Sequence, residues 1–268
     1  MPSALHLHIL ASGSKGNAAL VEGPEGTVLI DCGLSRRELL NRMSSLHLDL
    51  NNLKAVFLTH EHSDHASGIP VFMKHTNVPL FATAGTMAAR KSLTNIAFEA
   101  IEDEDEITIA GMHIQVFPTS HDVADPIGFK FDTGNDSVGY CTDTGILTQQ
   151  AQKHLYNARI LALEANHDQD MLKRGPYPSF LKARIAGSSG HLSNNQASEA
   201  LSTLVGESTQ TIVAMHLSQE NNRPGLAVQA LAQSVNAEPD DKLFHRAHTT
   251  DGKLSILAAG QDRPLSIW

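Results

Sequence analysis

The chain has 268 residues, 41% of them hydrophobic and 18% charged, and a formal net charge of −9 from 29 acidic and 20 basic side chains. That balance supports one large core, or two small domains at most, and excludes the broad basic face that grips nucleic acid along its length. No apolar run reaches the roughly 18 residues of a membrane span, the N-terminus lacks the segments of a secretory signal, and Cys32 and Cys141 make no disulfide framework, so a cytoplasmic protein is expected.

Leu5 to Leu10 alternates polar and apolar residues, as a half-buried strand does. Ser12-Gly13-Ser14-Lys15-Gly16-Asn17 is a turn-rich loop, either a plain turn or one that turns its backbone N–H groups towards a phosphate. Ala18–Glu22 and Thr27–Asp31 read as a hairpin across Gly23-Pro24-Glu25-Gly26, and Ser35 caps a helix through about Ser44.

Ala55-Val56-Phe57-Leu58 is a short buried strand that runs into Thr59-His60-Glu61-His62-Ser63-Asp64-His65, with Ser63 or Asp64 capping the next helix. Three imidazoles and two carboxylates fall within six residues there. Neutral imidazoles and carboxylates are the ligands that zinc, manganese and iron accept. Two histidines two apart, followed by an adjacent Asp-His pair, suit two neighbouring ions better than one.

Gly68 to His75 continues as helix, Pro79–Ala82 is a strand, Thr83 opens another helix, and Glu99 to Glu106 is a solvated acidic loop. Met112–Phe117 alternates as a strand and leaves His121 just beyond its end. Ile127–Asp132 and Ser137–Cys141 form a second hairpin that runs into Asp143. Read from its neighbours alone, Asp143 is a turn or capping residue, since Thr144-Gly145 follow. Cys141 reads as a packed thiol. Ala158–Leu163 is a buried strand ending in the polar cluster Glu164 to Asp168, which suits equally a set of groups supporting site ligands or a surface turn and is left outside the expected site. Met171 to Ile185 carries Lys173, Arg174, Lys182 and Arg184, the one compact basic stretch and the best candidate for a phosphate contact. His191 follows Gly190 and precedes a helix capped by Ser193 or Asn194 that runs to about Leu204. Gln210–Met215 is a strand with His216 at its end. A helix over Gly225 to Val235 and strands near Lys242–His245 and Lys253–Leu257 complete a single domain.

The pattern His60-x-His62-x-Asp64-His65 resembles the first motif of the metallo-β-lactamase superfamily, hydrolases with a four-layer αββα sandwich of two mixed sheets flanked by helices. That resemblance implies one such domain over residues 1–268. It places His121, Asp143 and His216 on the later motifs. By the same resemblance His60, His62 and His121 hold one metal, Asp64, His65 and His216 a second, and Asp143 bridges them. Two divalent ions are implied, Zn²⁺ or Mn²⁺ with Fe²⁺ also admitted, and a bridging hydroxide as nucleophile that Asp64 helps to orient.

The Ser12–Asn17 loop resembles the Ser-Gly-Ser-x-Gly-Asn opening of the YycJ (WalJ) group, associated with 5′-to-3′ exonuclease activity on DNA. Gly190-His191-Leu192-Ser193, followed some two dozen residues later by a strand-end histidine, resembles ribonuclease Z, whose histidine serves the scissile phosphate. These likenesses imply a phosphodiesterase acting on nucleic acid, DNA above RNA, with Asp64 and His191 catalytic, no membrane partner, and a homodimer. The net charge of −9 does not oppose this, because divalent ions supply local positive charge. The alternative is a thioester or lactone hydrolase of glyoxalase II type, which shares the seven ligands; Gly190 to Ser193 argues against it. A non-catalytic, metal-stabilised binding protein is the third reading.

Overall fold

A computed structural model describes residues 4–268. Residues 1–3 of the N-terminal segment, which the sequence marks as lacking a secretory signal, lie outside the described residues. In chain order the elements open with β1 (His6–Ala11), β2 (Ala18–Gly23), β3 (Gly26–Ile30), α1 (Arg36–Ser45), β4 (Leu53–Phe57), α2 (Ser63–Ala66), α3 (Ile69–Met73), β5 (Leu80–Ala82) and α4 (Ala84–Ala89). There follow β6 (Glu99–Ala100), β7 (Glu106–Ile109), β8 (Met112–Pro118), β9 (Ile127–Asp132), β10 (Ser137–Cys141), α5 (Gln149–Leu155), β11 (Ile160–Glu164), α6 (Gln169–Arg174) and α7 (Ser179–Ile185). The chain closes with α8 (Asn194–Leu204), β12 (Thr211–Met215), α9 (Pro224–Ser234), β13 (Ala237–Pro239), β14 (Arg246–Thr249), β15 (Ser255–Ala258) and β16 (Leu265–Ile267). The strands make two mixed sheets, in the orders β16-β1-β2-β3-β4-β5-β6 and β13-β14-β15-β12-β11-β10-β9-β8-β7.

Contacts group the chain into two compact units. The first takes in the chain up to Pro118, Val123–Val138 and Gln261–Trp268; the second takes in Thr119–Asp122 and Gly139–Gly260. In the first unit, β1, β2 and β3 pair antiparallel, while β3, β4 and β5 run parallel. Alternation along a strand sends Leu10, Leu20, Leu29, Val56 and Leu58 to one face, where they bury with Leu39 and Met43 of α1 and Phe72 of α3. Full burial of each such side chain is worth about 1.5–3 kcal/mol. Phe57, on the opposite face of β4, meets Phe129 of β9 edge-on at 5.3 Å. In the second unit β11, β12 and β15 are parallel, and all five residues of β11 are buried. Ala197, Leu201 and Leu204 of α8 recur at helical spacing as its buried face, and α9 buries Ala227, Val228 and Leu231.

Several boundaries differ from the sequence reading. The strand expected near Lys242–His245 is an exposed turn. The Asp241 side chain accepts from the Leu243 N–H at 2.8 Å, and Phe244 has φ +53°, a combination that bends the chain between β13 and β14. The helix expected from Gly68 to His75 is the separate α3. A Cβ on Gly68 would lie 2.0 Å from the Leu34 carbonyl, which only glycine permits. Helix α5, capped by Thr148 accepting from the Ala151 N–H at 3.0 Å, and the C-terminal strand β16 were not anticipated. Among the described residues no helix is long and apolar enough to cross a membrane.

Candidate metal centre

In the first unit the histidine motif is held by residues well upstream of it. Strand β3 ends at Ile30, and Asp31 follows with φ +60°, fully buried. Its carboxylate accepts from the Thr59 N–H at 2.8 Å and the Thr59 hydroxyl at 2.9 Å, and its Oδ2 lies 2.7 Å from Nδ1 of His65. A carboxylate on one ring nitrogen fixes the tautomer and leaves the other nitrogen as the electron-pair donor. His60 Nδ1 lies 3.0 Å from the Thr59 hydroxyl, so both buried imidazoles are oriented through the same Asp31–Thr59 pair. The ring centroids of His60 are 4.1 Å from those of His65 and 4.9 Å from those of His62. Glu61 turns away: its side chain accepts from the Ala124 N–H.

The Ser12–Asn17 loop is packed under the motif. Asn17 is buried, donates to Asp64 Oδ2 at 3.2 Å and faces His65 Nε2 at 2.9 Å. Its backbone N–H donates to the Asp64 carbonyl at 2.7 Å, and Gly33 N–H donates back to the Asn17 carbonyl at 2.9 Å. The approach is so close that a Cβ on Gly33 would stand 1.7 Å from the Asp64 carbonyl oxygen. The loop therefore positions Asp64 and His65.

In the second unit the strand ends supply the groups. His121 Nδ1 donates to the Gly190 carbonyl at 2.9 Å, which leaves Nε2 as donor of its lone pair, 3.7 Å from Asp143 Oδ1. Asp143 and His216 follow β10 and β12, each with φ +55°. This left-handed turn is uncommon outside glycine and, like Asp31's, re-aims a side chain at the strand end. Glu164, the last residue of β11, is fully buried. Its Oε1 lies 2.9 Å from His191 Nδ1 and 3.0 Å from His216 Nδ1, while Oε2 accepts from the N–H groups of Thr144 at 3.0 Å and Leu192 at 3.1 Å. Burial alone pushes this acid up, but the facing His191 and His216 outweigh it and hold it at about 2. Burial pulls His191 the other way, and the Glu164 charge and hydrogen bond override it, so His191 is raised above the ordinary imidazole value.

His191 occupies the turn expected for it, between Gly190, where a Cβ would stand 2.2 Å from the Arg184 and Ile185 carbonyls, and the Ser193–Gln196 capping box of α8. Donor atoms of Asp143, Glu164, His191 and His216 lie within 4.8 Å of one another. Asn166 steadies His216 by donating to its carbonyl at 2.8 Å. In the basic stretch, Arg184 is engaged by Asp122 and the Lys182 ammonium donates to the Lys173 carbonyl at 2.8 Å, so its charges are partly committed within the unit.

Buried imidazoles with one nitrogen pinned and carboxylates beside them fit a divalent metal in each unit's chemistry. A family model described as a beta-lactamase superfamily domain matches residues 26–217. The chain belongs to the metallo-β-lactamase superfamily. Among relatives of this superfamily protein, the exodeoxyribonuclease YycJ of Bacillus anthracis is 33% identical over 93% of this chain and 97% of its own length. The exodeoxyribonuclease WalJ of Streptococcus pneumoniae is 34% identical over 84% and 88%. The metallo-β-lactamase fold protein YhfI of Bacillus subtilis superposes with a TM-score of 0.67, at 14% identity, over 99% of this chain and all of its own. The superfamily fold implies divalent metal binding and a hydrolase.

Sequence reasoning missed Glu164 and Asp31 in this superfamily centre. Each was assigned to a strand end, and only burial distinguishes such a carboxylate from a surface turn. The one signal available is their place directly after a short apolar run, Val28–Ile30 and Ile160–Leu163, where a carboxylate needs partners.

Proposed function

We propose that this protein is a two-metal phosphodiesterase that degrades DNA from a 5′ end. The observation that carries the reading is the 33–34% identity, over most of the chain, to two proteins named exodeoxyribonucleases. In this reading His60, His62 and His121 hold one ion, Asp64, His65 and His216 the other, and Asp143 serves both. When bound, such ions make a water acidic enough to ionise near neutral pH and neutralise charge on the phosphate; zinc, manganese and iron all suit the donor set.

The chain's own residues do the rest. Asp31 and Thr59 keep His60 and His65 in the ligating tautomer, and Asn17 steadies Asp64, which orients the attacking water. Glu164 keeps His191 protonated with Nδ1 committed, so that the remaining Nε2–H is the one delivered to the leaving alkoxide oxygen. General-acid help of this kind is worth roughly 10²–10⁴-fold. A leaving thiolate needs no such proton, which is why the Glu164–His191 pair favours a phosphodiester over a thioester.

We further assign the whole chain to one metallo-β-lactamase-fold domain, acting as a homodimer in the cytoplasm. The deciding experiment supplies the metal-reconstituted protein with end-labelled DNA, end-labelled RNA and S-lactoylglutathione. Mononucleotides released from the 5′ end of DNA are expected. Thioester turnover with no phosphodiester cleaved would move the protein to the glyoxalase II class. Light scattering should give twice the chain mass, and a stable monomer at working concentration refutes the dimer.

A further inference from the structure

Strand β1 carries His6 and His8 two residues apart, which puts both side chains on one face of the sheet. Its antiparallel partner β2 places Glu22 directly opposite His6, and β16 places Ser266 opposite His8. Glu22 Oε2 lies 3.4 Å from His6 Nδ1 and 3.1 Å from His8 Nε2. Donor atoms of the three residues all fall within 4.8 Å of one another. Bonds of about 2.0–2.2 Å at a tetrahedral zinc put neighbouring donors roughly 3.4 Å apart, close to both distances from Glu22. None of the three residues belongs to the superfamily's motif positions.

The surroundings are those of a built site. His8 is fully buried, and its Nδ1 lies 2.8 Å from the Ser266 hydroxyl. That hydroxyl either accepts or donates a proton, so Nε2 can be an N–H facing Glu22 or a lone pair facing a cation. Outer partners of this kind orient metal-binding histidines. Trp268 packs edge-on over both rings, with centroids 4.6 Å from His6 and 5.5 Å from His8. His6 and Glu22 remain a quarter and about two-fifths exposed, which leaves a route for an ion.

We propose that His6, His8 and Glu22 form a second, separate metal site for a zinc-class divalent ion, three protein ligands with one position left open. Two imidazoles and a carboxylate suit Zn²⁺, Ni²⁺ and Cu²⁺ over Mg²⁺ or Ca²⁺. Because its ligands lie on β1 and β2 and its outer partner on β16, an ion here would tie the C-terminal strand to the sheet. The proposal is independent of the nuclease reading.

Trp268 is the only tryptophan of the chain, so its fluorescence reports this site alone. The test titrates Ni²⁺, an open-shell ion that quenches a nearby indole, into the desalted full-length protein. Saturable quenching is expected, reversed by Zn²⁺, which competes without quenching. Glu22→Gln, which keeps shape and hydrogen bonding, and His6→Ala, at a partly exposed position, should each weaken the quenching at least tenfold in Ni²⁺ concentration. Asp143→Ala should leave it unchanged. Quenching absent in the parent, or surviving undiminished in either Glu22→Gln or His6→Ala, would overturn the proposal.

Discussion

Oε1 of Glu164 lies 2.9 Å from Nδ1 of His191, and the same oxygen is 3.0 Å from Nδ1 of His216. One buried carboxylate thus sets the tautomer of two imidazoles for which we propose different tasks. Glu164→Gln keeps the shape and removes the charge. Turnover of a phosphodiester should fall at least tenfold in kcat with KM near the parent, because the proton on His191 is no longer held. A change confined to KM would place Glu164 outside the chemistry.

His191→Ala removes the proton donor itself. Cleavage should fall by roughly 10²–10⁴-fold. Metal content and melting temperature should stay near the parent, since His191 is not among the seven proposed ligands. Parent-like cleavage of DNA by this variant would sink the general-acid role.

Asp31→Asn tests the upstream carboxylate. The variant keeps a side-chain acceptor but loses the charge that faces His65 and Thr59. A charge-assisted hydrogen bond contributes about 1.5–3 kcal/mol, so denaturant unfolding should show a loss of that order. Metal affinity should drop by about 10–100-fold, the usual effect of losing an outer partner. Unchanged affinity, read by competition with a chelator, would show that His65 is held some other way.

His167 gives a dependence on pH. It is 2% exposed, and burial lowers its pKa to about 4 from the ordinary 6.5. The folded form therefore binds fewer protons than the unfolded chain between those values. Stability is intact above about pH 6.5 and declines as the pH falls towards 4, by about 1.4 kcal/mol per unit at most from this one group. His167→Gln should flatten that part of the melting-temperature profile. Parallel profiles for the two proteins would remove His167 from the acid response.

Asp143→Ala addresses the metal set directly. Elemental analysis should show a large loss of bound metal, because in the proposed arrangement this carboxylate serves both ions. Full retention of both would sink the assignment.

Much of this organisation is legible in the sequence, for identifiable reasons. Ala55–Leu58 and Ile160–Leu163 are apolar runs of strand length, and their ends mark where polar groups must emerge. The spacing His60-x-His62-x-Asp64-His65 carries its own chemistry, and Gly190 ahead of His191 signals a turn that no other residue fits. The sequence leaves open whether Glu164 and the loop holding Asn17 support a site, and it does not single out Asp31, because an acid or amide at a strand end or in a glycine-rich loop has the same local pattern whether it faces solvent or a histidine far along the chain. The helix α5 also escaped, since Gln149–Leu155 buries only Ala151, His154 and Leu155 and so shows little periodicity.

The left-handed backbone at Asp143 and His216 has an evolutionary corollary. At such positions glycine relieves about 1 kcal/mol or more of conformational strain, so these are among the places where the fold is most easily made sturdier. A selection for heat resistance alone, blind to turnover, should accumulate glycine there and yield tougher, inert descendants. Persistence of the aspartate and the histidine at those two turns under such a selection would mean that their side chains repay the strain within the fold itself.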